Sequence, residues 1–386
     1  MTDFSRRIIT ALHALDDGIR RLRLRTKRAV GRLDPLVILP YRSYGSEARL
    51  RVKGRVLENK GITAPTLTDS VWINLINMYR RFESDEIPGA RVRASYGGRS
   101  WEVVTDREGF FDLELDVGNL PPGEGPWRWV DLELIEPRVD RRNPALVRAA
   151  VRVPTEASFG VISDLDDTVI QSSATEFLAM LRLVLLHNAY TRLPFEGVAS
   201  FYAALERGTG EAPNPIFYVS SSPWNLYDLL EDFLEHQGIP AGPLLLKDWS
   251  LWNLKAHTGH KLGYIRRLLE AYPRLPFVLI GDSGERDPEI YLEAVRKHPG
   301  RFRAVYIRDV VGGVRAEVVR KIAAEVEAMG VPMLLVSDTV EAARHAESLG
   351  LILPQQVEQV AEGAQREAEK PSPLEVALGE GETRDP

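Results

Sequence analysis

The sequence predicts an α/β protein: a parallel β-sheet flanked by helices, preceded by a small antiparallel β-sandwich-like domain and an N-terminal amphipathic helix. Three features carry that expectation. From residue 153 to about 354, short β-rich apolar runs alternate with helical stretches, as in a sheet covered on both faces. From 36 to 152, polar and apolar residues alternate with period two in short segments between turns, which marks half-buried antiparallel strands. Over 1–33, apolar residues recur at steps of four and three, the spacing of one helix face.

The N-terminal segment, 1–35, places Phe4, Ile8, Leu12, Leu15, Ile19 and Leu22 along one stripe. Arg6, Arg7, Arg20, Arg21, Arg23, Arg25, Lys27, Arg28 and Arg32 stand against only Asp3, Asp16 and Asp17, in a chain whose net charge is -6. Asp34-Pro35 ends the helix. Such a stripe suits docking on a neighbouring domain or a second copy, and the surplus of arginine favours an anionic membrane surface.

The overall acidity argues against nucleic acid as the main partner. No run of about eighteen apolar residues is present, so no transmembrane helix is expected, and arginines interrupt the place of a signal peptide's apolar core. There is no cysteine, which excludes a disulfide framework, thiol catalysis and thiolate zinc sites. A cytoplasmic protein, peripheral to a membrane at most, is the expectation.

The β-rich domain, 36–152, reads as strands at 48–56, 90–94, 100–105, 110–115 and 129–134. Thr105-Asp-Arg-Glu-Gly-Phe-Phe-Asp-Leu113 is a turn closed by Gly109 before a new strand. With that hairpin and strand rhythm, the segment resembles the β-sandwich modules related to transthyretin and carboxypeptidase regulatory domains. The third domain, 153–354, has strands at 159–163, 216–219, 277–280, 304–307 and 333–336. Helices at 197–206, 224–236, 260–271, 288–297, 315–329 and 340–348 separate them. Residues 355–386, polar and acidic, are expected to be a disordered tail.

In an open parallel sheet, ligands gather at the carboxyl ends of the strands. After the first strand comes Asp164-Leu-Asp-Asp-Thr168, and after the second Ser220-Ser-Ser-Pro223. Lys261 opens the helix into the third strand, and Gly281-Asp-Ser-Gly-Glu-Arg-Asp287 follows that strand. Phosphoryl transfer explains why these types belong together. Asp164 is placed to attack phosphorus and form an acyl phosphate, which divides hydrolysis into two easier steps. Asp166 can protonate the leaving oxygen and then activate water. The nucleophile and the phosphate repel each other unless a cation lies between them, and Mg²⁺ prefers oxygen ligands. Asp164 and Asp282 are the natural side-chain ligands, with the Asp166 carbonyl and a supporting Asp287. Ser220 and Lys261 would hold phosphoryl oxygens, with Thr168, Ser221 and Ser222 as further substrate contacts.

These four motifs, in this order, resemble the haloacid-dehalogenase-like (HAD) superfamily across roughly 200 residues. Asp164–Val169, Tyr218–Tyr227 and Ile280–Tyr291 further resemble the catalytic domain of the actin-patch-associated phosphatidate phosphatases. That resemblance implies a HAD-like Rossmannoid fold behind a β-rich region, and Mg²⁺-dependent conversion of phosphatidate, a phosphorylated lipid, to diacylglycerol. It departs from the eukaryotic members in its tail, which offers only Pro371-Ser-Pro373 where they carry proline-rich recruiting segments.

Plainer readings stand beside these. Ser221 or Ser222 can replace Ser220, and Lys247 and Lys255 rival Lys261. His257 and His260 lack a third soft ligand and read as loop or helix-start residues. Glu285 and Arg286 either orient Asp282, meet substrate, or form a surface pair. The apolar stretch Phe177–Leu186 reads as buried core, or, if exposed beside the site, as a surface for an acyl chain. A phosphatase for soluble esters and a non-catalytic membrane-binding module are the rival functions.

Overall fold

The computed structural model describes residues 35–58, 86–118, 125–137, 146–165, 196–247 and 257–368. The expected N-terminal helix, Asp166, Thr168, Lys255 and the stretch 177–186 lie outside the described residues. The described residues gather into two compact units. The first draws on stretches within 1–40, 52–113 and 129–149, and the second on stretches within 41–51, 114–128 and 150–386.

Among the described residues, eight β-strands precede the parallel sheet: β1 (Leu36–Tyr41), β2 (Ser43–Tyr44), β3 (Arg49–Glu58), β4 (Arg91–Tyr96), β5 (Arg99–Val104), β6 (Phe110–Asp116), β7 (Trp127–Glu136) and β8 (Leu146–Arg152). They form sheets of order β1-β3-β6 and β2-β8-β7-β4-β5, with β4 antiparallel to β5 and β7. The period-two pattern sorts as expected. Val92, Ala94, Val130 and Leu132 are buried, while Arg93 points outward to Glu102 and Glu133, at 2.9 and 3.4 Å. Such exposed pairs are worth about 0–1 kcal/mol each, so the buried face supplies the stability. The turn before Phe110 is closed by Asp106, whose Oδ1 accepts from the Glu108 and Phe110 amides at 2.9 Å each.

The second unit is built on six parallel strands: β9 (Gly160–Asp164), β10 (Ile216–Pro223), β11 (Leu244–Lys247), β12 (Phe277–Asp282), β13 (Phe302–Arg308) and β14 (Met333–Val336). Their order is β11-β10-β9-β12-β13-β14. Counted from β9, this is 3-2-1-4-5-6, the doubly wound arrangement, with its switch point between β9 and β12. The helices are α1 (Val198–Arg207), α2 (Tyr227–His236), α3 (His257–Ala271), α4 (Asp287–Lys297), α5 (Gly313–Glu327), α6 (Thr339–Ser348) and α7 (Pro354–Ala368).

Alternate side chains of the central strands face opposite layers. Ile162, Phe217, Leu279 and Val305 join one apolar cluster with Tyr264 and Leu268 of α3, Ile290 of α4 and Val319 of α5. On the other face Tyr218 stacks on Tyr202 of α1, and Tyr306 meets Phe201 edge-on. Burial on both faces explains why these strands read as continuous apolar runs.

Two elements differ from the sequence expectation. β11 is a four-residue edge strand, Leu244-Leu-Leu-Lys, too short to show a period. The tail expected to be disordered from 355 is an α-helix as far as Ala368. Its polar composition conceals a narrow stripe, Gln356, Val360 and Gly363, buried at helical spacing. The lack of a side chain at Gly363 matters: a β-carbon there would collide with the Ser200 hydroxyl of α1 and lie 3.0 Å from Ser200 Cβ. Glu367 completes the contact by accepting from the Gly197 amide at 2.7 Å.

The entry to β9 is fixed by Asn214, only 1% exposed. Its Oδ1 accepts from the Ser158 and Phe159 amides at 3.1 and 3.2 Å, and its Nδ2 donates to the Leu205 carbonyl at 2.9 Å. Asn214→Ala strands two buried polar groups, the Phe159 amide and the Leu205 carbonyl, and should lower the unfolding free energy by about 3 kcal/mol in urea titrations. A loss below about 1 kcal/mol would show that these groups find other partners.

Candidate active site

The candidate residues come together at the switch point because of where the strands end. Asp164 closes β9, paired in register with Val219 of β10, and Ser220 is the next residue on that neighbour. On the other side Ile280 of β12 pairs with Ser163, so β12 carries Asp282 past the end of β9. Lys261 approaches from the first turns of α3, which packs against β10 and α4.

Lys261 lies at the centre. Its side chain is 4% exposed, and its Nζ lies 2.7 Å from Asp164 Oδ1, 2.7 Å from Glu285 Oε2 and 3.1 Å from Asp287 Oδ1. Asp164 and Asp287 are equally enclosed, at 2% and 0%, whereas Glu285 is 26% exposed. Burial pushes the Asp287 carboxyl above the usual carboxylate range; the Lys261 ammonium opposes that and the Asp282 charge reinforces it. One ammonium thus serves three carboxylates, an arrangement short of positive charge.

The loop from β12 into α4 is held from several directions. Asp282 Oδ1 accepts from the Gly284 and Glu285 amides at 2.7 and 3.0 Å, which turns the chain back toward Lys261. Asp287 Oδ2 accepts from the Asp282 amide at 3.3 Å. Ser283, fully buried, donates from Oγ to Asp309 at 3.2 Å and accepts from the Val310 amide at 3.0 Å. Arg315 of α5 grips the same loop: Nε donates to the Ser283 carbonyl at 2.7 Å, Nη2 to the Glu285 carbonyl at 2.6 Å, and Nη1 to Glu289 at 2.6 Å.

The structure brings Asp164, Lys261 and Asp287 into direct contact, with Asp282 joined to Asp287 through its amide. Ser220 is buried beside Asp164 in the sheet, and its Oγ accepts from the Ser222 amide at 2.9 Å; Ser221 and Ser222 are half-buried. Lys247 ends β11, the edge strand beyond β10. His260 packs edge-on against Tyr264, with ring centroids 4.6 Å apart. Beneath Asp164, the Ser163 hydroxyl bonds Tyr202 Oη at 2.5 Å and donates to the Asp164 carbonyl at 3.0 Å. Burial pushes the Tyr202 phenol up to about 12, so it stays protonated at neutral pH.

Glu285 and Arg315 extend what the sequence pattern assigned. Glu285 stood among three roles, and the turn at Asp282 resolves its side chain onto Lys261. Arg315 is 30 residues from Glu285, and no local pattern announces that clamp.

Asp164, Glu285 and Asp287 present ligand oxygens all within 4.8 Å of one another. An all-oxygen donor set with surplus negative charge matches the chemistry of a hard divalent cation. Glu285 thus joins the expected aspartates beside Lys261, while Asp282 turns its Oδ1 to the loop amides.

Comparison with known proteins places this geometry in a family context. Residues 159–309 match the family described as "Phosphatidate phosphatase APP1, catalytic domain". The chain is 30% identical over 229 residues to the Saccharomyces cerevisiae protein named "Phosphatidate phosphatase APP1", covering 58% of this chain and 37% of that one. It is 24% identical over 215 residues to an uncharacterized Schizosaccharomyces pombe protein, covering 55% and 35%. The chain thus spans little more than a third of the length of these curated relatives. A carbohydrate acetylesterase from Xanthomonas citri aligns over 76% of this chain and 75% of its own at a TM-score of 0.26 and 10% identity, which carries no argument. The chain resembles the APP1 catalytic domain family.

Gly281 gives the geometry a direct test. A β-carbon there would press on Asp287 Oδ2 and lie 2.8 Å from Asp287 Cβ and 2.9 Å from its Cγ. Gly281→Ala should displace the Asp287 carboxylate from Lys261, lower stability by about 1–3 kcal/mol and cut turnover at least about tenfold. Unaltered melting temperature and turnover would show that α4 yields without disturbing the site.

Proposed function

We propose that this protein is a HAD-type phosphatase, dependent on Mg²⁺, that hydrolyses the phosphate monoester of a lipid such as phosphatidate through an aspartyl-phosphate on Asp164. The observation that carries the reading is Asp164 at the switch-point strand end, held by Lys261 within a set of three carboxylates. The resemblance to the APP1 catalytic domain supports the substrate class.

In this reading an Asp164 carboxylate oxygen attacks phosphorus, and the bond from phosphorus to the lipid oxygen breaks. Asp166 gives that oxygen its proton, then takes one from the water that cleaves the acyl phosphate. Water attack at phosphorus releases inorganic phosphate and restores the Asp164 carboxylate. Lys261 balances charge on Asp164 and on the phosphoryl oxygens, while Ser220 donates to them. Asp164, Asp287 and Glu285 or Asp282 would hold Mg²⁺, with the Asp166 carbonyl as a further ligand. When bound, it supplies the positive charge that lets an anionic nucleophile approach an anionic phosphate. The anionic bilayer contact through residues 1–33 belongs to the same proposal, since their surplus of arginine suits a membrane that carries phosphatidate.

A phosphate-release panel tests this. Wild-type protein should release phosphate from phosphatidate in Mg²⁺, lose that activity in chelator while keeping its melting temperature, and regain it on readdition. Asp164→Asn should reduce turnover at least about a thousandfold with stability unchanged or raised, because clustered negative charge is relieved. More than a tenth of wild-type turnover in Asp164→Asn would rule out the covalent route. Preference for sugar or nucleotide phosphates would move the substrate to soluble esters.

A further inference from the structure

Beside the aspartate cluster the described residues of the second unit expose a group of apolar side chains. Val310, Val311, Val314 and Val318 are 42%, 60%, 79% and 39% exposed. They fall within nine residues; among the described residues of this unit, the other exposed large apolar side chains are Met329 and Leu353. The core-facing stripe of α5 is already complete in Ala316, Val319, Ile322, Ala323 and Val326. Val314 and Val318, one turn apart on the outer side, add nothing to it. Valine is also a poor choice for an exposed helix surface, where lysine, glutamate or alanine would favour the helix.

The position of these valines relative to the reaction centre is narrow. A β-carbon built on Gly284 would lie 3.0 Å from Val310 Cγ2, 3.1 Å from Asp282 Oδ1 and 3.7 Å from Val311 Cγ2. A single exposed glycine therefore separates the Asp282 carboxylate from two valine methyl groups. The valines lie immediately beyond residues 159–309, the part that matches the catalytic family. Exposed Lys321 lies three residues from Val318 and seven from Val314, on the same side of α5, with Glu317 exposed beside them. Exposed Arg286 follows Glu285, whose carbonyl is bonded by Arg315 at the start of the same helix.

We propose that Val310, Val311, Val314 and Val318 form the surface that seats this protein on an anionic lipid bilayer, with the aspartate site facing the headgroups. The inference rests on the phosphatase reading above and names the setting in which its substrate is met. A bilayer fits this rim because it offers apolar chains to the valines, negative charge to Arg286 and Lys321, and phosphate monoesters beside the aspartate site. A protein seated on the same valines would stand across the approach to Asp282.

The absence of cysteine from the chain makes the test specific. Val311→Cys in the full-length protein carries a unique environment-sensitive dye. Its emission should shift to the blue on phosphatidylcholine vesicles containing phosphatidylserine, and less on phosphatidylcholine alone. The double variant Val311→Asp, Val314→Asp should lose about tenfold in turnover of bilayer-presented phosphatidate, while a soluble phosphate ester is hydrolysed within about twofold of wild type. An unshifted dye on vesicles that sediment the protein, or undiminished bilayer turnover by the double variant, would overturn the docking surface. If wild-type protein hydrolyses neither substrate, the phosphatase reading fails, and the dye still decides whether the valines meet lipid.

Discussion

A single buried ammonium organises the second unit. Lys261 is bonded to Asp164, Glu285 and Asp287, which come from the end of one strand, a loop and the first residue of a helix. Charges taken out of water are tolerated only when paired, and removing the ammonium would leave its carboxylates buried without compensation. The elements must therefore converge closely. β9 and β12 have to end side by side, α3 has to start opposite them, and the loop after Asp282 has to turn back. Yet the balance remains negative, and burial already opposes ionisation of Asp287. The three carboxylates thus outnumber the ammonium that faces them, and their all-oxygen set suits the chemistry of a hard divalent cation.

Much of this was legible in the sequence, and the legible part has a common cause. The parallel strands are buried on both faces, so they read as apolar runs, and residues just past each run must lie at one edge of the sheet. That logic alone brought Asp164, Ser220, Asp282 and Asp287 to one place. Spacing cannot decide which carboxylate of Gly281–Asp287 faces the ammonium. Hydrogen bonding decides it: the Gly284 and Glu285 amides engage Asp282 Oδ1, and Glu285 reaches Lys261 instead. The Arg315 clamp was hidden because its partners are carbonyl groups, which have no signature in sequence. Helix α7 was hidden because it packs through Gly363, where the important feature is the side chain that is missing.

The same contacts tie the chemistry to its surroundings. Asp309 accepts from Ser283 and also from the Gly312 amide at 2.9 Å, and Arg315 holds the Ser283 and Glu285 carbonyl groups. The start of α5 and the loop that presents Glu285 are therefore one mechanical piece. A close-packed interior of this kind passes on a shift and does not absorb it. Val314 directly precedes Arg315 and Val311 lies between Asp309 and Gly312, so both are neighbours in the chain of residues that brace the carboxylate loop. The exposed valine side chains therefore flank the bracing residues without replacing any of their hydrogen bonds. A bilayer on the valine rim would thus stand beside the reaction centre, while the bonds from Arg315 and Asp309 hold the carboxylate loop in place.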